Sequence, residues 1–402
     1  MVAFLSITHR DCETSVRRAN SALLFAILFA TLTSAWAGTF KNPAILPTLS
    51  DPCGVVAGDF NRDGNQDILY GDGTDTASIH VLLGNGKGAF THGQDLELPA
   101  GIRGGGACLL NIGDLNGDGI LDLIVGGDGS STTTVFAVML GNGDGTFQSP
   151  IVTEYTSTLG LYPSLNGAMA IGDINGDGIP DLVIPDGRND YIYIFLGDGT
   201  GHFTYSFSFF DGGTPKREYL YDLNGDGNLD LVSIGPLGAT ATVFLGKGHG
   251  AFQPAVRYSV EAGTEDILLA DLDGDGHPDL VGMSYPGDLQ FLKGNSDGTF
   301  ATSKLLEKFG IPLAIAGVNK YDSSGNSSVA LLSAVGVSVS LNSGDLSFGN
   351  LKSSVAGAAS FQNYAEADFN GDGRLDVALG VDGGIALLMG SGDGTFVSAD
   401  FL

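Results

Sequence analysis

Short runs of apolar, largely β-branched residues alternate with polar, glycine-rich segments along most of the chain. Runs this short that end at breakers predict strands, since a helix needs about ten periodic residues or more. In each group of four runs, one leads into an aspartate-rich loop and a second leaves it, while a third and a fourth flank a glycine-rich turn. One such group consists of Ala168–Ile171, Leu182–Ile184, Ile192–Leu196 and Phe203–Phe207.

The aspartate-rich loop is a nine-residue stretch that recurs six times, and Asp114–Asp122 is its clearest copy. Positions 1, 5 and 9 are Asp in every copy, position 3 is Asn or Asp, and position 6 is Gly. Oxygen donors on alternating residues, with a Gly that permits a sharp turn, are what a calcium loop requires. The alternative is that Asp-Gly and Asn-Gly mark exposed turns. Six copies with a fourth Asp at a fixed offset favour calcium.

We predict that each copy binds one Ca²⁺ through the side chains of positions 1, 3, 5 and 9 and the carbonyl of position 7, so that about six ions bind per chain. The predicted ligands are Asp59, Asn61, Asp63, Asn65, Asp67, Asp114, Asn116, Asp118, Ile120, Asp122, Asp173, Asn175, Asp177, Ile179, Asp181, Asp222, Asn224, Asp226, Asn228, Asp230, Asp271, Asp273, Asp275, His277, Asp279, Asp368, Asn370, Asp372, Arg374 and Asp376. An EF-hand is excluded, because position 12 is never the Glu that an EF-hand needs.

A seventh, degenerate copy fills the long interval between the loops that begin at Asp271 and Asp368. It is Lys320–Ser328, in which only Asp322 and Gly325 keep their types, and Lys or Ser stands where carboxylates belong. We predict no calcium there. Lys320 either supplies the missing positive charge or is a solvated surface lysine.

The glycine-rich turn keeps the same period as the loop and ends in an aromatic residue. Because apolar residues precede it, it predicts a hairpin turn whose aromatic side chain packs inward. A phosphate-binding loop is disfavoured, because the turn joins strands and lacks the Lys-Ser/Thr ending of a P-loop. Its copies are Gly84–Phe90, Gly141–Phe147, Gly197–Phe203, Gly246–Phe252, Gly294–Phe300, Gly390–Phe396 and a weak Asn342–Phe348.

Seven units of four short strands predict an all-β fold, a seven-bladed β-propeller of four-stranded blades. A solenoid is the alternative, but no capping repeat is visible. Residues 38–43 (Gly-Thr-Phe-Lys-Asn-Pro) imitate residues 145–150, which begin a fourth strand, so an N-terminal strand is expected to close the ring with the C-terminal blade. This leaves eight candidates for seven fourth strands.

The paired motifs resemble FG-GAP/VCBS repeats, the units of the integrin α-subunit propeller. The resemblance covers residues 38–402 and implies calcium in loops of the form D-x-[DN]-x-D-G-x-x-D, which six copies match and the copy at Lys320 does not. It further implies an extracellular interaction or adhesion module, although no integrin-type metal-dependent ligand site is visible.

Residues 1–37 are predicted to be a signal peptide, since arginines precede an apolar run and Ala35-Trp36-Ala37 is an A-x-A cleavage signal. An uncleaved anchor is the alternative. We therefore expect a secreted, monomeric protein, periplasmic or on the cell surface if bacterial, with no membrane span after cleavage. The net charge of −28 argues against nucleic acid as a partner.

Cys53 and Cys108 each lie six residues before a loop, at equivalent places on neighbouring strands, so they form either a disulfide or two free buried thiols. The histidines His80, His92, His202, His249 and His277 are interpreted as solvated turn residues, and no catalytic or zinc spacing is present. We therefore predict a non-enzymatic calcium-binding module for an extracellular protein or glycan. The alternatives are a lectin, or a hydrolase or lyase with its site in the central channel.

Overall fold

A computed structural model describes most of the chain after residue 43. The described residues are 44–48, 52–72, 78–99, 102, 110–127, 133–156, 169–235, 240–260, 264–284, 287–310, 314–333, 336–355 and 359–398. The predicted signal peptide, residues 1–37, lies outside these ranges, as does Cys108. Among the described residues, no helix has the length and apolarity needed to cross a membrane.

The first four blades are antiparallel sheets in which each strand pairs with the next strand along the chain. Blade 1 contains β2 (Pro52–Gly58), β3 (Asp67–Asp72), β4 (Ser78–Gly84) and β5 (Phe90–Glu97). Blade 2 contains β6 (Leu110–Gly113), β7 (Asp122–Gly127), β8 (Thr134–Met139) and β9 (Ile151–Tyr155). Blade 3 contains β10 (Ala170–Gly172), β11 (Asp181–Asp186), β12 (Tyr191–Gly197) and β13 (Phe203–Phe210). Blade 4 contains β14 (Arg217–Tyr221), β15 (Asp230–Gly235), β16 (Thr240–Phe244) and β17 (Val256–Ser259).

Three further blades follow the same plan, and the last one includes the N-terminal strand. Blade 5 contains β18 (Thr264–Ala270), β19 (Asp279–Ser284), β20 (Asp288–Leu292) and β21 (Lys304–Lys308). Blade 6 contains β22 (Ala314–Asn319), β23 (Ser328–Ser333), β24 (Gly336–Ser340) and β25 (Lys352–Val355). Blade 7 contains β26 (Ala359–Ala367), β27 (Asp376–Val381), β28 (Gly384–Gly390), β1 (Ala44–Pro47) and β29 (Phe396–Ser398).

The fourth position of blade 7 is shared by the two ends of the chain. Strand β1 pairs with residues 384–387 of β28, and β29 pairs with residues 388–390. The predicted closure of the ring by an N-terminal strand is therefore confirmed. The eight candidates for seven fourth strands are also accounted for, because two short strands lie along one edge.

The core is divided into seven apolar clusters, one at each junction between neighbouring blades. Alternation along the strands produces this division, since successive side chains point to opposite faces. Leu69 packs towards blade 2, for example, whereas its neighbours Ile68 and Tyr70 pack towards blade 7. Second strands such as β3 are fully buried because both of their faces are covered. The cluster between blades 7 and 1 closes the ring, which confirms a seven-bladed propeller and excludes a solenoid.

Candidate metal centres

The carboxylate at position 1 organises each aspartate loop through the backbone. Asp114 Oδ1 accepts hydrogen bonds from the N–H groups of Gly117 at 2.7 Å and Asp118 at 3.1 Å, and Oδ2 accepts one from Gly119 at 2.9 Å. Gly117 and Gly119 have φ values of 78° and 77°, in the left-handed region that favours glycine. The bonds to positions 5 and 6 recur in the other five loops.

Positions 3 and 5 fold towards the same concave side of the loop as position 1. Asn116 Oδ1 accepts from the N–H of Asp118 at 3.0 Å, and Asp118 Oδ1 accepts from the N–H of Ile120 at 2.8 Å. The Asn116 amide also donates to Asp118 Oδ2 at 3.0 Å. In the fifth loop, carboxylate oxygens of Asp271, Asp273 and Asp275 all lie within 4.8 Å of one another.

This donor set fits calcium, because the hard oxygens of positions 1, 3 and 5 lie close together in the fifth loop and the other loops repeat its backbone hydrogen bonds. The residues that would hold the ion are those of positions 1, 3 and 5, and calcium would supply the positive charge that fixes a cluster of repelling carboxylates. The carbonyl of position 7 as a further ligand stays a prediction.

Position 9 has a second role that the sequence analysis did not identify. Asp122 is 0% exposed, and it accepts hydrogen bonds from the N–H groups of Leu115 and Gly141, both at 2.8 Å. Gly141 is the first residue of the glycine-rich turn, so this carboxylate joins the two motifs of its blade. The first Gly of the turn is needed, because a Cβ on Gly141 would lie 2.4 Å from the Leu121 carbonyl oxygen. The same pair of hydrogen bonds is made by Asp67, Asp181, Asp230, Asp279 and Asp376.

Burial raises the pKa of each position-9 carboxyl, and for Asp67, Asp279 and Asp376 it reaches about 6. Nearby loop carboxylates such as Asp63 raise the pKa of Asp67 further, whereas its two N–H donors lower it. Position 9 as a direct calcium ligand stays a prediction, and each of its oxygens keeps one lone pair beyond its N–H bond for that role.

Neighbouring blades are joined through position 2 of the loops. In four blades the third Gly of the glycine-rich turn donates its N–H to the position-2 carbonyl of the preceding blade. The six aspartate loops are thus bonded to their own turns through position 9, and those of blades 1, 3 and 7, with the degenerate loop of blade 6, are also bonded to the next blade through position 2. The donor and acceptor pairs are Gly88 and Phe369, Gly145 and Phe60, Gly250 and Ile174, and Gly394 and Tyr321.

The fifth loop contains a cation of its own. Lys293 Nζ contacts a carboxylate oxygen of Asp273 and lies 2.5 Å from Asp275 Oδ2. Hydrogen bonds from these two carboxylates raise the pKa of Lys293. The fifth loop is also the copy with Asp, not Asn, at position 3, so the extra carboxylate accompanies the extra ammonium. Lys293 precedes the first Gly of its turn, where the other blades have Leu83, Leu140, Leu196, Leu245, Leu341 and Met389.

The degenerate sixth loop keeps the connection between its motifs with different chemistry. Ser328 replaces the position-9 carboxylate and accepts from the N–H of Asn342 at 3.0 Å. Asn342 stands where the other turns have Gly, and its amide donates to the Ser327 carbonyl at 3.1 Å. The loop also bonds to blade 7, because Tyr321 Oη donates to Glu366 Oε1 at 2.5 Å. Lys320 is exposed, as expected of a solvated lysine.

Two of the five histidines interpreted as turn residues lie in strands. His80 lies in β4 and is only 4% exposed, so its interpretation as a solvated turn residue is wrong. His92 is exposed but lies in strand β5, and His202 and His249 are exposed.

Cys53 is disulfide-bonded. Its predicted partner Cys108 lies outside the described residues, so this pairing stays a prediction.

A family model of the FG-GAP-like repeat matches four overlapping segments, residues 59–125, 114–184, 173–233 and 222–282. Together they span more than half of the chain, and each runs from one aspartate loop to the strand after the next loop. Integrin alpha-PS5 of Drosophila melanogaster is 31% identical over 158 residues, which are 35% of this chain and 15% of the integrin. The chain thus covers less than a fifth of that relative's length.

Two solved structures are similar in fold. One is an Agrocybe aegerita lectin that recognises non-reducing terminal N-acetylglucosamine, with a TM-score of 0.56 and 22% identity over 76% of this chain and 81% of the lectin. The other is the periplasmic gluconolactonase of Pseudomonas aeruginosa, with a TM-score of 0.54 and 14% identity over 79% of this chain and 89% of the enzyme. At these identities the likeness shows the fold alone.

Proposed function

Because the chain belongs to the FG-GAP-like repeat family, we propose that it is a secreted, calcium-binding propeller that acts as a non-enzymatic interaction module. The observation that carries the proposal is the set of six aspartate loops, each bonded to its own glycine-rich turn, on one face of the ring. Every aspartate loop joins the first strand of its blade to the second, and every glycine-rich turn joins the third to the fourth. In an antiparallel sheet these connections lie at the same end of the strands.

Calcium would serve this face as a structural ion. Ions that bind only the folded state stabilise it by mass action, with an expected affinity on the order of 10⁻⁶ to 10⁻³ M per site. Because every aspartate loop is bonded to its own turn, and three of the six are also bonded to the next blade, ordering the loops also orders the turns beside them. About six calcium ions would also offset much of the net charge of −28.

An interaction role is favoured over catalysis by how the described acids are used. The carboxylates of the loops accept backbone N–H groups and face the points where calcium would bind. Glu366, on the inner strand β26, accepts hydrogen bonds from Tyr321, Tyr364 and Asn319, which leaves it a poor general acid or base. Similarity to an integrin alpha chain supports an extracellular protein as the partner. Secretion of a monomer, with no nucleic-acid partner, agrees with the acidic composition and the predicted signal peptide.

The lectin alternative rests on the fold that the chain shares with the Agrocybe lectin, and the enzyme alternative on the fold shared with gluconolactonases. Neither is favoured by a specific group of described residues in this chain.

The test is binding of residues 38–402 to panels of extracellular-matrix proteins and of glycans, in millimolar calcium and in EDTA. We expect saturable, calcium-dependent binding to a protein ligand. Asp118→Asn and Asp177→Asn together should weaken it, whereas Asp322→Asn in the degenerate loop should not. Binding to glycans alone would establish the lectin, and lactone turnover would establish the enzyme. Calcium-dependent stability without any binding would refute the interaction role and leave the metal sites standing.

A further inference from the structure

Two histidines and an aspartate lie together on the two outer strands of blade 1, and their nitrogen atoms distinguish this group from the all-oxygen loops. His80 lies on β4, and His92 and Asp95 lie on β5. His80 and Asp95 are direct cross-strand partners in the register of the two strands. Metal-ligating atoms of all three lie within 4.8 Å of one another.

A β-bulge brings His92 and Asp95 to the same side of β5. Residues three apart on a regular strand point to opposite faces, because the period is two. Here Leu82 pairs with His92 and His80 with Asp95, so three steps on β5 match two on β4. The extra residue turns both side chains towards His80, which is how bulges re-aim side chains. Gly93 allows the close approach, since a Cβ there would lie 3.2 Å from the Val81 side chain.

The distances place Asp95 at the centre of the group. His80 Nδ1 lies 2.6 Å from Asp95 Oδ1, and His92 Nε2 lies 3.1 Å from the same oxygen. Ligand atoms about 2.0–2.1 Å from a tetrahedral zinc ion are about 3.3 Å apart. The His92 contact already has this spacing, and the His80 contact needs to lengthen by about 0.7 Å, which Asp95 permits because half of its side chain is exposed.

The buried end of His80 faces a carboxylate, as is usual for a histidine that binds metal through its other ring nitrogen. The residue is 4% exposed, and Nε2 has no hydrogen-bond partner but faces Asp72 Oδ2 at 3.7 Å. Asp72 is itself held by the N–H of Ser78 at 2.8 Å. Tyr70 stacks on the ring at a centroid distance of 4.8 Å and fixes its plane. A carboxylate behind the distal ring nitrogen orients a histidine whose other nitrogen binds metal.

We propose that His80 Nδ1, His92 Nε2 and the Asp95 carboxylate bind a divalent late first-row transition metal, for which zinc is the probe. Imidazole nitrogen with one carboxylate suits such ions, whereas calcium prefers oxygen alone. Three protein ligands leave the fourth position open, and it faces solvent because His92 and Asp95 are each about half exposed. The neutral ring of His80 then carries its proton on Nε2, towards Asp72.

Blade 3 shows that the bulge alone does not make the site. There β12 and β13 have the same irregularity, and Tyr193, Tyr205 and Ser208 occupy the positions of His80, His92 and Asp95. Tyr205 and Ser208 are hydrogen-bonded at 3.1 Å. The repeat therefore provides the geometry, and blade 1 fills it with metal ligands.

The experiment is zinc titration of tag-free protein against a chromophoric chelator, with saturating calcium to occupy the oxygen loops. We expect one tight zinc equivalent in the wild type and in His202→Ala, which removes an exposed histidine of blade 3. His92→Ala and Asp95→Asn should weaken binding about 100-fold or more, and Asp72→Asn about 10–100-fold. Cobalt(II) should give the intense visible absorption of a four-coordinate site, which octahedral oxygen loops do not produce.

His92 and Asp95 are half exposed, so their variants should fold, and unchanged calcium-dependent unfolding would verify it. Zinc binding that is equal in His92→Ala and the wild type would overturn the proposal. So would the absence of a zinc equivalent in the folded wild type, or a weak octahedral cobalt spectrum.

Discussion

Replacing Asp122 with Ala separates the two roles that position 9 of an aspartate loop combines. The wild-type carboxylate is fully buried and accepts two N–H groups at 2.8 Å, one from its own loop and one from the glycine-rich turn. Each hydrogen bond to a charged acceptor contributes about 1.5–3 kcal/mol, and the substitution leaves two donors without partners. Burial of the charged carboxylate costs part of this stabilisation, as the raised pKa of Asp122 indicates. We therefore expect Asp122→Ala to lower the free energy of unfolding by about 3–5 kcal/mol.

Asp118→Asn is the matched control, because position 5 of the same loop is exposed and its Oδ1 needs only to accept from the N–H of Ile120. Asparagine keeps that bond, removes one negative charge and gives up only the exposed bond from the Asn116 amide to Oδ2. In EDTA this variant should be as stable as the wild type or slightly more so, since it relieves repulsion. In calcium it should lose the stabilisation of one site, about 2.7 kcal/mol when calcium is at 100 times the dissociation constant.

The assay is thermal and urea unfolding of wild type and both variants, in EDTA and in millimolar calcium. Asp122→Ala should be destabilised in both conditions, and Asp118→Asn in calcium alone. Equal stability of Asp122→Ala and wild type in EDTA would refute the structural role of position 9. An unchanged response of Asp118→Asn to calcium would refute its role as a ligand.

Three further outcomes are expected. Lys293→Leu should raise the calcium affinity of one site at least tenfold in calorimetric titration, because the ammonium competes with the ion for Asp273 and Asp275; unchanged affinity would contradict this. Burial raises the folded-state pKa of Glu218 well above 4.5, so its contribution to stability is lost as pH rises through that pKa. Glu218→Gln should therefore stabilise the fold increasingly above about pH 4.5, and a pH-independent difference in melting temperature would count against it. Gly141→Ala should lower the melting temperature with and without calcium, because its Cβ would meet a backbone oxygen at 2.4 Å; full stability would show that the turn relaxes.

The fold was predictable from sequence because six of the seven units carry both the aspartate loop and the glycine-rich turn, and the remaining unit keeps weakened copies of both. Asp114–Asp122 and Gly141–Phe147 fix where the strands of blade 2 begin and end, and seven repetitions fix the blade number. The sequence did not show that β1 and β29 share one edge of blade 7, since both chain ends had the pattern of a fourth strand. Only the pairing register shows that they pair with different residues of β28.

The connection between the two motifs was harder to foresee, because Asp122 and Gly141 are nineteen positions apart and meet only through the pairing of β7 with β8. The degenerate sixth blade nevertheless carries the signal. Ser328 and Asn342 depart together from the Asp and Gly of the other copies, and the structure bonds them directly. Two positions that are constant in the other copies and change in the same repeat are therefore candidates for direct contact.

The same comparison between repeats points to functional groups that occur in one blade only. A residue whose type differs from that at the equivalent position of the other repeats does not serve their shared structural role. Its contact partner is therefore to be sought among the other residues of the same blade that differ in this way. Lys293 stands where the other blades have Leu or Met, and it contacts Asp273, which stands where the other five aspartate loops have Asn. His80 likewise contacts Asp95 at the bulge of blade 1. At the equivalent bulge of blade 3, Tyr193 pairs with Ser208. The calcium loops can be predicted from what the units have in common. The Lys293 ammonium in the fifth loop and the proposed histidine site can be found only where single blades differ from the others.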